Sequence, residues 1–374
     1  MKILYTNFHP RNGGGHVTYV LSLARALAGT HEVTVAVPGS SRLYRYAARV
    51  PGVRVVDMSY ASRLSSWFGA RAALRRLIVQ EGYDIVHVNG SADHRQVMLA
   101  AAGLRRRPRV VFTKHNDHPL DSFGHRLRAR CATDQVIAVS DYVRGLLLAP
   151  SSPYRRLPVT TIRHGVDTGY FAPPAPAERE ALRERHFGPD WRGKLLLGSS
   201  GGTDYDKGWL DLVDAAGSLP PALRARVMVL AAGDPPSGPK LERVRRAGML
   251  GQVVFPGLLD DVRPALAACD AGYVLSYREA LSYACRELMA LGLPVLASDA
   301  GGLPENVSPG RDGWVVHAGD VPAIAGVLRE MLARPGELAV MGARAREKSL
   351  AEFGLQAFAE ATLGVYRRAL GRAP

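Results

Sequence analysis

Short apolar runs of strand length recur along the chain, each followed by a stretch with helical spacing, and this alternation limits the fold more than any other feature. Lys2–Thr6, Glu32–Val37, Val53–Met58, Asp84–Val88, Arg109–Thr113 and Gln135–Val139 read as strands. Most are nearly continuous in apolar residues rather than alternating, which is the pattern of parallel strands covered by helices on both faces. Between the first two lie Val17, Val20, Leu21, Leu23, Ala24 and Leu27, spaced as one face of a helix. The Pro/Ala-rich segment Phe171–Glu180 reads as an interdomain linker. The pattern then restarts with Lys194–Gly198, Ala225–Ala232, Gln252–Pro256, Gly272–Ser276, Pro294–Ser298 and Gly313–His317. The expected fold class is therefore α/β, with two Rossmann-like doubly wound parallel-sheet domains, residues 1–172 and 173–355. A chain of 374 residues is long enough for two such cores. A last helix, Gln356–Leu370, follows the completed second sheet and is expected to pack elsewhere.

Composition narrows the partners. Hydrophobic residues at 47% and charged residues at 22% are ordinary for a soluble protein. No run approaches the roughly 20 apolar residues of a membrane span. The start, MKILYTNFHP, enters a strand directly, without the apolar region of a signal peptide. Cys131, Cys269 and Cys285 fit neither a disulfide framework nor a metal site, so a cytoplasmic protein is expected. The net charge of +14 is one-sided: residues 1–165 hold 24 basic against 9 acidic side chains, and residues 166–374 hold 24 against 25. An anionic partner is implied, whether nucleic acid, lipid headgroup or phosphorylated substrate. Ser62–Gln80 mixes Leu64, Trp67, Phe68, Leu74, Leu77 and Ile78 with Arg63, Arg71, Arg75 and Arg76. That is an apolar stripe with an arginine border, read either as an interfacial helix or as core with solvated arginines. The second reading puts Trp67 and Phe68 in the core. No aromatic ladder for base stacking is present, so a membrane surface ranks above nucleic acid.

Several loops carry chemistry. In Arg11–His16 (RNGGGH), Gly13, Gly14 and Gly15 would let backbone N–H groups approach a ligand at a helix start. This is not GxGxxG, and Pro38 rather than an acid follows Val37, so a nicotinamide or flavin dinucleotide is disfavoured. In doubly wound sheets ligands lie outside the carboxyl ends of the strands. That rule singles out Asn89, Gly90 and Ser91, then Lys114, His115, Asn116, Asp117 and His118. His115 and His118 alone do not make a metal-ligand set. In the second half, Gly201, Gly202, Asp206, Lys207 and Gly208 enter a helix, where Lys207 suits a diphosphate. Glu279 and Glu287 stand eight apart. A helix from near Leu281 would carry Glu287 in its second turn and leave Glu279 on the entering loop, beside free backbone N–H groups.

In combination these features resemble the retaining nucleotide-sugar glycosyltransferases known as glycosyl transferases group 1, over essentially the whole chain. The most specific part is Glu279, seven residues, Glu287, then Leu288 to Val295 (LMALGLPV) and Gly301-Gly302-Leu303-Pro304-Glu305. The resemblance implies a GT-B fold, its two domains facing a cleft and its terminal helix, 356–374, crossing back to the first. By resemblance, Glu279 meets the donor sugar hydroxyls, Ala280, Leu281, Ser282 and Tyr283 meet sugar and diphosphate, and Glu287 holds the ribose. Lys207, with the Gly201–Gly202 loop, neutralises the diphosphate. His115 corresponds to the active-site histidine, Gly14 and Gly15 to the loop between diphosphate and acceptor. Gly13, His16, Asn89 and His118 are acceptor-side candidates.

The chain departs from the family in three places. Gly202 stands where an arginine is frequent, Glu279-Ala280-Leu281-Ser282 replaces the usual Glu-Gly-Phe-Gly, and His164 replaces an asparagine. The implied reaction moves a hexosyl group from a nucleoside-diphosphate sugar to an acceptor hydroxyl, with retained configuration, no cofactor and no metal. A UDP-sugar is favoured over a GDP-sugar. The basic first half favours a glycan or lipid-linked acceptor, such as a lipopolysaccharide intermediate, at the inner face of the cytoplasmic membrane. Closure about Phe171–Glu180 would exclude water. The alternatives are a sugar-nucleotide epimerase or hydrolase of the same fold, or a catalytically silent sugar-nucleotide or membrane-binding module.

Overall fold

The computed structural model describes residues 1–11, 14–60 and 64–372, apart from the side chains of residues 64–67. Two compact units emerge, Met1–Gly165 together with the chain from Leu355 onward, and Val166–Gly354. The first is built on seven parallel strands: β1 (Lys2–Thr6), β2 (Glu32–Val37), β3 (Val53–Asp57), β4 (Ile85–Val88), β5 (Arg109–Lys114), β6 (Gln135–Ala138) and β7 (Val159–Thr161). Their order is β3-β2-β1-β4-β5-β6-β7. The second has six: β8 (Leu195–Ser199), β9 (Val227–Ala231), β10 (Val253–Val254), β11 (Ala271–Val274), β12 (Val295–Ser298) and β13 (Gly313–Val316). Their order is β10-β9-β8-β11-β12-β13. Both sheets reverse direction once, between β1 and β4, where Leu4 pairs with Val86, and between β8 and β11, where Gly198 pairs with Gly272. Such switch points open a crevice at the carboxyl ends of the strands.

The strands are apolar throughout because both sheet faces are covered. In the second unit Leu197, Val227, Val229 and Leu296 join one buried cluster, while Leu196, Met228, Leu230, Val295 and Ala297 join the other. This is the period of two in a sheet with helices on each side. Strand β7 was not expected. It is three residues long, half-buried, and sits at the sheet edge, too short to leave a periodic signal.

The terminal helix Leu355–Ala369 belongs to the first unit, burying Phe358, Ala359, Leu363 and Tyr366. The expected linker is not one. The chain joins the second unit from Val166, whose N–H donates to Phe353 O at 2.8 Å. Phe171 packs against the second unit's core, and its carbonyl accepts from Arg346 at 2.9 Å. Residues from Pro176 open the helix Pro176–Phe187. Proline suits a first helical turn, where no N–H is needed, so a Pro/Ala composition does not separate linker from helix start.

The helix Leu64–Glu81 also departs from expectation. Leu74, Leu77 and Ile78 are buried, but Phe68 is 63% exposed, and Arg63 and the Trp67 side chain lie outside the described parts. Two of its arginines are more than a solvated border. Arg71 donates to Leu99 O at 3.2 Å, and Arg75 donates to Ala100 O and Ala102 O at 2.8 and 2.7 Å. They cap the carbonyl end of the helix Ser91–Ala101, where cations are favoured. Among the described residues no helix is long and apolar enough to cross a membrane.

Candidate active site

The first unit gathers its polar side chains at the β1/β4 switch point. Asp93, fully buried, accepts from Thr6 Oγ1 at 2.8 Å and from Asn89 N at 2.9 Å, tying the ends of β1 and β4 together. Burial pushes its carboxyl up to about 7 against the lowering effect of these bonds. Asn89 donates its amide to Thr6 O at 3.0 Å, which turns its Oδ1 toward His115 Nε2, 2.9 Å away. His115 therefore carries its proton on Nε2 and presents Nδ1 as an acceptor. Tyr19 stands edge-on to the imidazole at 4.5 Å, and the His16 ring lies 4.3 Å away. Burial, followed by the neighbouring imidazoles of His16, His87, His164 and His9, holds His115 well below the usual histidine range. It is a neutral ring at pH 7.

Beneath it runs a buried chain of hydroxyls. Tyr366 OH donates to Tyr5 OH at 2.9 Å, so Tyr366 accepts from His87 Nδ1 at 2.6 Å. His87 Nε2 then accepts from Thr113 Oγ1 at 2.6 Å, and Thr113 accepts from Tyr19 OH at 3.1 Å. Tyr366, His87 and Thr113 each fill one donor and one acceptor role, and the terminal helix is thereby joined to the residues under His115. Lys114 is buried, which lowers its ammonium to about 8, and it donates to Asn116 Oδ1 and His118 O at 2.7 and 2.6 Å. His118 itself is exposed and contributes its carbonyl here. Gly14 precedes the first helix at φ 49°, a glycine conformation; Gly15 is that helix's first residue; Gly13 lies outside the described residues.

The second unit builds its polar set at the β8/β11 switch point. Lys207 ends a short turn, Tyr205–Lys207, and its Nζ stands 3.6 Å from Glu279 Oε2. Gly208 follows at φ 65°, where a Cβ would fall 2.0 Å from Leu275 O, so only glycine lets this turn lie against β11. Lys240, 9% exposed, supports the same turn from below: Nζ donates to Thr203 O at 2.7 Å and lies 4.9 Å from the Tyr205 ring centre. Gly201 N donates to Ser199 Oγ at 3.1 Å, and Gly202 adopts φ 96°. A side chain at 202 would be strained in this backbone conformation.

Glu279 is held by its backbone, whose carbonyl accepts from Gly302 N at 3.0 Å; this joins the two-glutamate segment to the Gly301–Glu305 segment. Buried Asn306 donates to Leu281 O at 2.5 Å and accepts from Arg286 Nε at 2.8 Å. The helix forms over Tyr283–Ala290, with Glu287 in its second turn. Ser282 is its N-cap, accepting from Cys285 N at 3.3 Å. At φ 86° it is the one non-glycine residue with positive φ among those described. Glu287 is half-buried; removal from water pushes its carboxyl up to about 7, opposed by the Ser200 hydroxyl. The arrangement offers one ammonium for an anion and two carboxyl groups for hydroxyls.

Among the described residues, the sequence-derived candidates fall at a carboxyl end of their own sheet: Gly14, Gly15, His16, Asn89, His115 and His118 in the first unit, and Gly201, Gly202, Lys207, Glu279–Tyr283 and Glu287 in the second. Sequence reasoning missed Lys240, whose position in the helix Gly238–Arg246 carries no spacing signal, and Tyr277, whose hydroxyl donates to Asp211 Oδ2 at 2.8 Å. Among the described residues no three His, Cys, Asp or Glu side chains group as metal ligands.

Comparison with known proteins agrees with this geometry. Residues 13–170 match the family described as Glycosyltransferase Family 4, and residues 195–334 match Glycosyl transferases group 1. The GDP-mannose-dependent alpha-(1-6)-phosphatidylinositol monomannoside mannosyltransferase of Mycolicibacterium smegmatis is 31% identical over 375 residues, 93% of each chain. The lipopolysaccharide core biosynthesis mannosyltransferase LpsB of Rhizobium meliloti is 27% identical over 75% of this chain and 78% of its own. The crystal structure of HepE from Anabaena with UDP-glucose superposes with a TM-score of 0.82 at 19% identity, covering 99% of both chains. Sucrose-phosphate synthase from Thermosynechococcus elongatus gives 0.81 at 22% identity, with 99% of both chains covered. With two parallel α/β units of this topology and a full-length relative at 31% identity, the chain belongs to the glycosyl transferases group 1 and has the GT-B fold.

Proposed function

We propose that the protein is a retaining, metal-independent hexosyltransferase that moves a sugar from a nucleoside-diphosphate donor to a hydroxyl of a cell-envelope glycan or lipid-linked acceptor. The observation that carries this reading is the Lys207–Glu279 pair at 3.6 Å, with Glu279 on the loop that enters the helix carrying Glu287. Lys207 would take the diphosphate, Glu279 the sugar hydroxyls and Glu287 the ribose, with backbone N–H groups of Tyr283 and Ala284 adding to the anion's stabilisation. With retention, the acceptor hydroxyl enters on the face the diphosphate leaves, and the departing phosphate oxygen can take its proton. His115, neutral and fixed by Asn89, presents Nδ1 as a hydrogen-bond acceptor for a hydroxyl and carries no positive charge of its own.

The sequence favours a UDP-sugar, whereas the full-length relative is named for GDP-mannose. Thermal melting with UDP-glucose and with GDP-mannose separates the two, since a bound donor raises the melting temperature of the native state. Transfer is expected to survive EDTA; loss restored by Mg²⁺ would refute metal independence.

Membrane attachment is part of the proposal. The helix Phe123–Cys131 exposes Phe123, Arg126, Leu127 and Arg130 at positions i, i+3, i+4 and i+7, with Phe123 79% exposed. Two large apolar residues and two arginines on one stripe suit an anionic lipid surface. In vesicle sedimentation, binding is expected to need phosphatidylglycerol and to weaken in Phe123→Ser. Indifference to both would remove this part.

A further inference from the structure

Arg286 carries a charge into the core of the second unit, on the helix Tyr283–Ala290. It is 1% exposed, and Ala284, Leu288 and Met289 of the same helix are buried with it. Taking a guanidinium out of water is costly, and an apolar side chain of similar volume would fill the space without that cost. What the arginine adds is a directed bond. Its Nε donates to Asn306 Oδ1 at 2.8 Å, and its guanidinium carbon lies 4.1 Å from the centre of the Phe353 ring.

That bond sets the Asn306 amide. With Oδ1 facing a donor, Nδ2 faces Leu281 O at 2.5 Å and Leu303 O at 3.0 Å. A flipped amide would turn its oxygen on two carbonyls and its NH₂ group on a guanidinium. Asn306 is fully buried, and its own carbonyl accepts from Lys348 Nζ at 2.7 Å. Lys348 also donates to Ser308 Oγ at 3.0 Å and stands 3.7 Å from Asp312, so the helix Pro335–Glu352 anchors the segment that holds Asn306.

The effect is passed to Ser282. The Leu281–Ser282 peptide is trans, so its N–H points opposite to its carbonyl. Holding Leu281 O on Asn306 turns Ser282 N–H away from Asn306, at the start of the helix that carries Glu287. Ser282 accommodates this at φ 86°.

We propose that Arg286 is a positioning residue for the nucleotide-sugar site: through Asn306 it sets the Leu281–Ser282 peptide so that Ser282 N–H donates to the diphosphate. The inference rests on the glycosyl-transfer reading and adds to it a residue that touches no ligand. It requires an N–H aimed at Asn306 Oδ1 and not a positive charge. Glutamine places its amide nitrogen where arginine has Nε, whereas methionine places a methyl group there, so the two substitutions separate the bond from the charge.

Titration calorimetry of the full chain with UDP and with GDP reads the effect. For the nucleotide that the wild type binds, Arg286→Met should weaken affinity about tenfold, while Arg286→Gln should stay within about twofold. The double variant Arg286→Met with Asn306→Leu leaves no unpaired amide in the core, so it should melt higher than Arg286→Met. It should nevertheless bind at least as weakly, because no side chain then holds Leu281 O. This double variant also serves if Arg286→Met does not fold. Equal weakening in the Gln and Met variants would show that charge acts instead of the bond. Wild-type affinity in the double variant would show a merely structural pair. Either result would overturn the proposal. A wild-type protein that binds neither nucleotide would count against the transfer reading itself, whereas the variant results count against the role of Arg286 alone.

Discussion

Ser282 shows how much one residue can carry at this site. Its φ of 86° belongs to the region that favours glycine, and the corresponding family residue is usually glycine. Strain of that kind costs about 1–3 kcal/mol and persists where the surroundings enforce it. Here Asn306 anchors the carbonyl of Leu281, and the serine hydroxyl caps Cys285 N. Ser282→Gly should therefore raise stability by roughly 1 kcal/mol, because glycine relieves the strain and loses only a few tenths at an N-cap. Ser282→Ala keeps the strain, loses the cap and should lower stability by about 1 kcal/mol. Thermal melting of the two variants checks both signs.

Glu287 makes a pH-dependent claim. Its native carboxyl titrates near 7, against an ordinary value of 4.5, because of burial. Between those values the native state keeps a proton that the unfolded chain has lost, so this residue makes stability fall as pH rises through that window. Glu287→Gln should melt higher than wild type at pH 8, by on the order of 1–3 kcal/mol in stability, with the advantage gone below pH 4.5. A constant difference across that range would be the contrary result. Residue positions at the strands' carboxyl ends were legible in the sequence where a family segment carried them, as at Lys207, Glu279 and His115. The contacts of Lys240 and Arg286 were not legible, since they form only once distant chain segments have met.

At the level of elements, a strand filled with Val, Leu and Ile announces itself, and nearly every strand lies within two residues of its expected place. The failures share a physical cause. Strand β7 exists because β6 offers it an edge, and Pro176 starts a helix whose partner lies elsewhere in the second unit. Phe68 has helical spacing, yet its side chain is 63% exposed. In each case tertiary context decides what local composition leaves open. Gly208 is the opposite case, since its glycine sequence context and its structural need agree. A Cβ there meets a backbone carbonyl that cannot swing aside. Gly208→Ala should cost at least about 2 kcal/mol and weaken nucleotide-sugar binding by displacing the Lys207 turn. A melting curve and a donor titration like those of the wild type would refute that linkage.

Over the whole molecule, the same device appears twice: a parallel sheet that reverses strand order and places loops with free polar groups at the reversal. The first unit's loops are rich in neutral histidine, with one engaged lysine, and the second's hold a lysine paired with a carboxylate, Lys207 with Glu279. This difference supports assigning the acceptor to the first set and the nucleotide sugar to the second. The excess positive charge of residues 1–165 was legible at once, but its use was not, because charge count cannot tell arginines that cap a helix, such as Arg71 and Arg75, from those on an open stripe, such as Arg126 and Arg130.

The central claim is that Lys207 and Glu279 hold a nucleoside-diphosphate sugar for transfer. Its most direct measurement is turnover of the donor that stabilises the protein, by wild type, Lys207→Ala and Glu279→Ala, with the anomeric configuration of the product read by NMR. The expected result is transfer with retention by the wild type and a loss of about 10²–10³ in rate in each variant. Wild-type turnover in both folded variants, or an inverted product, would contradict it.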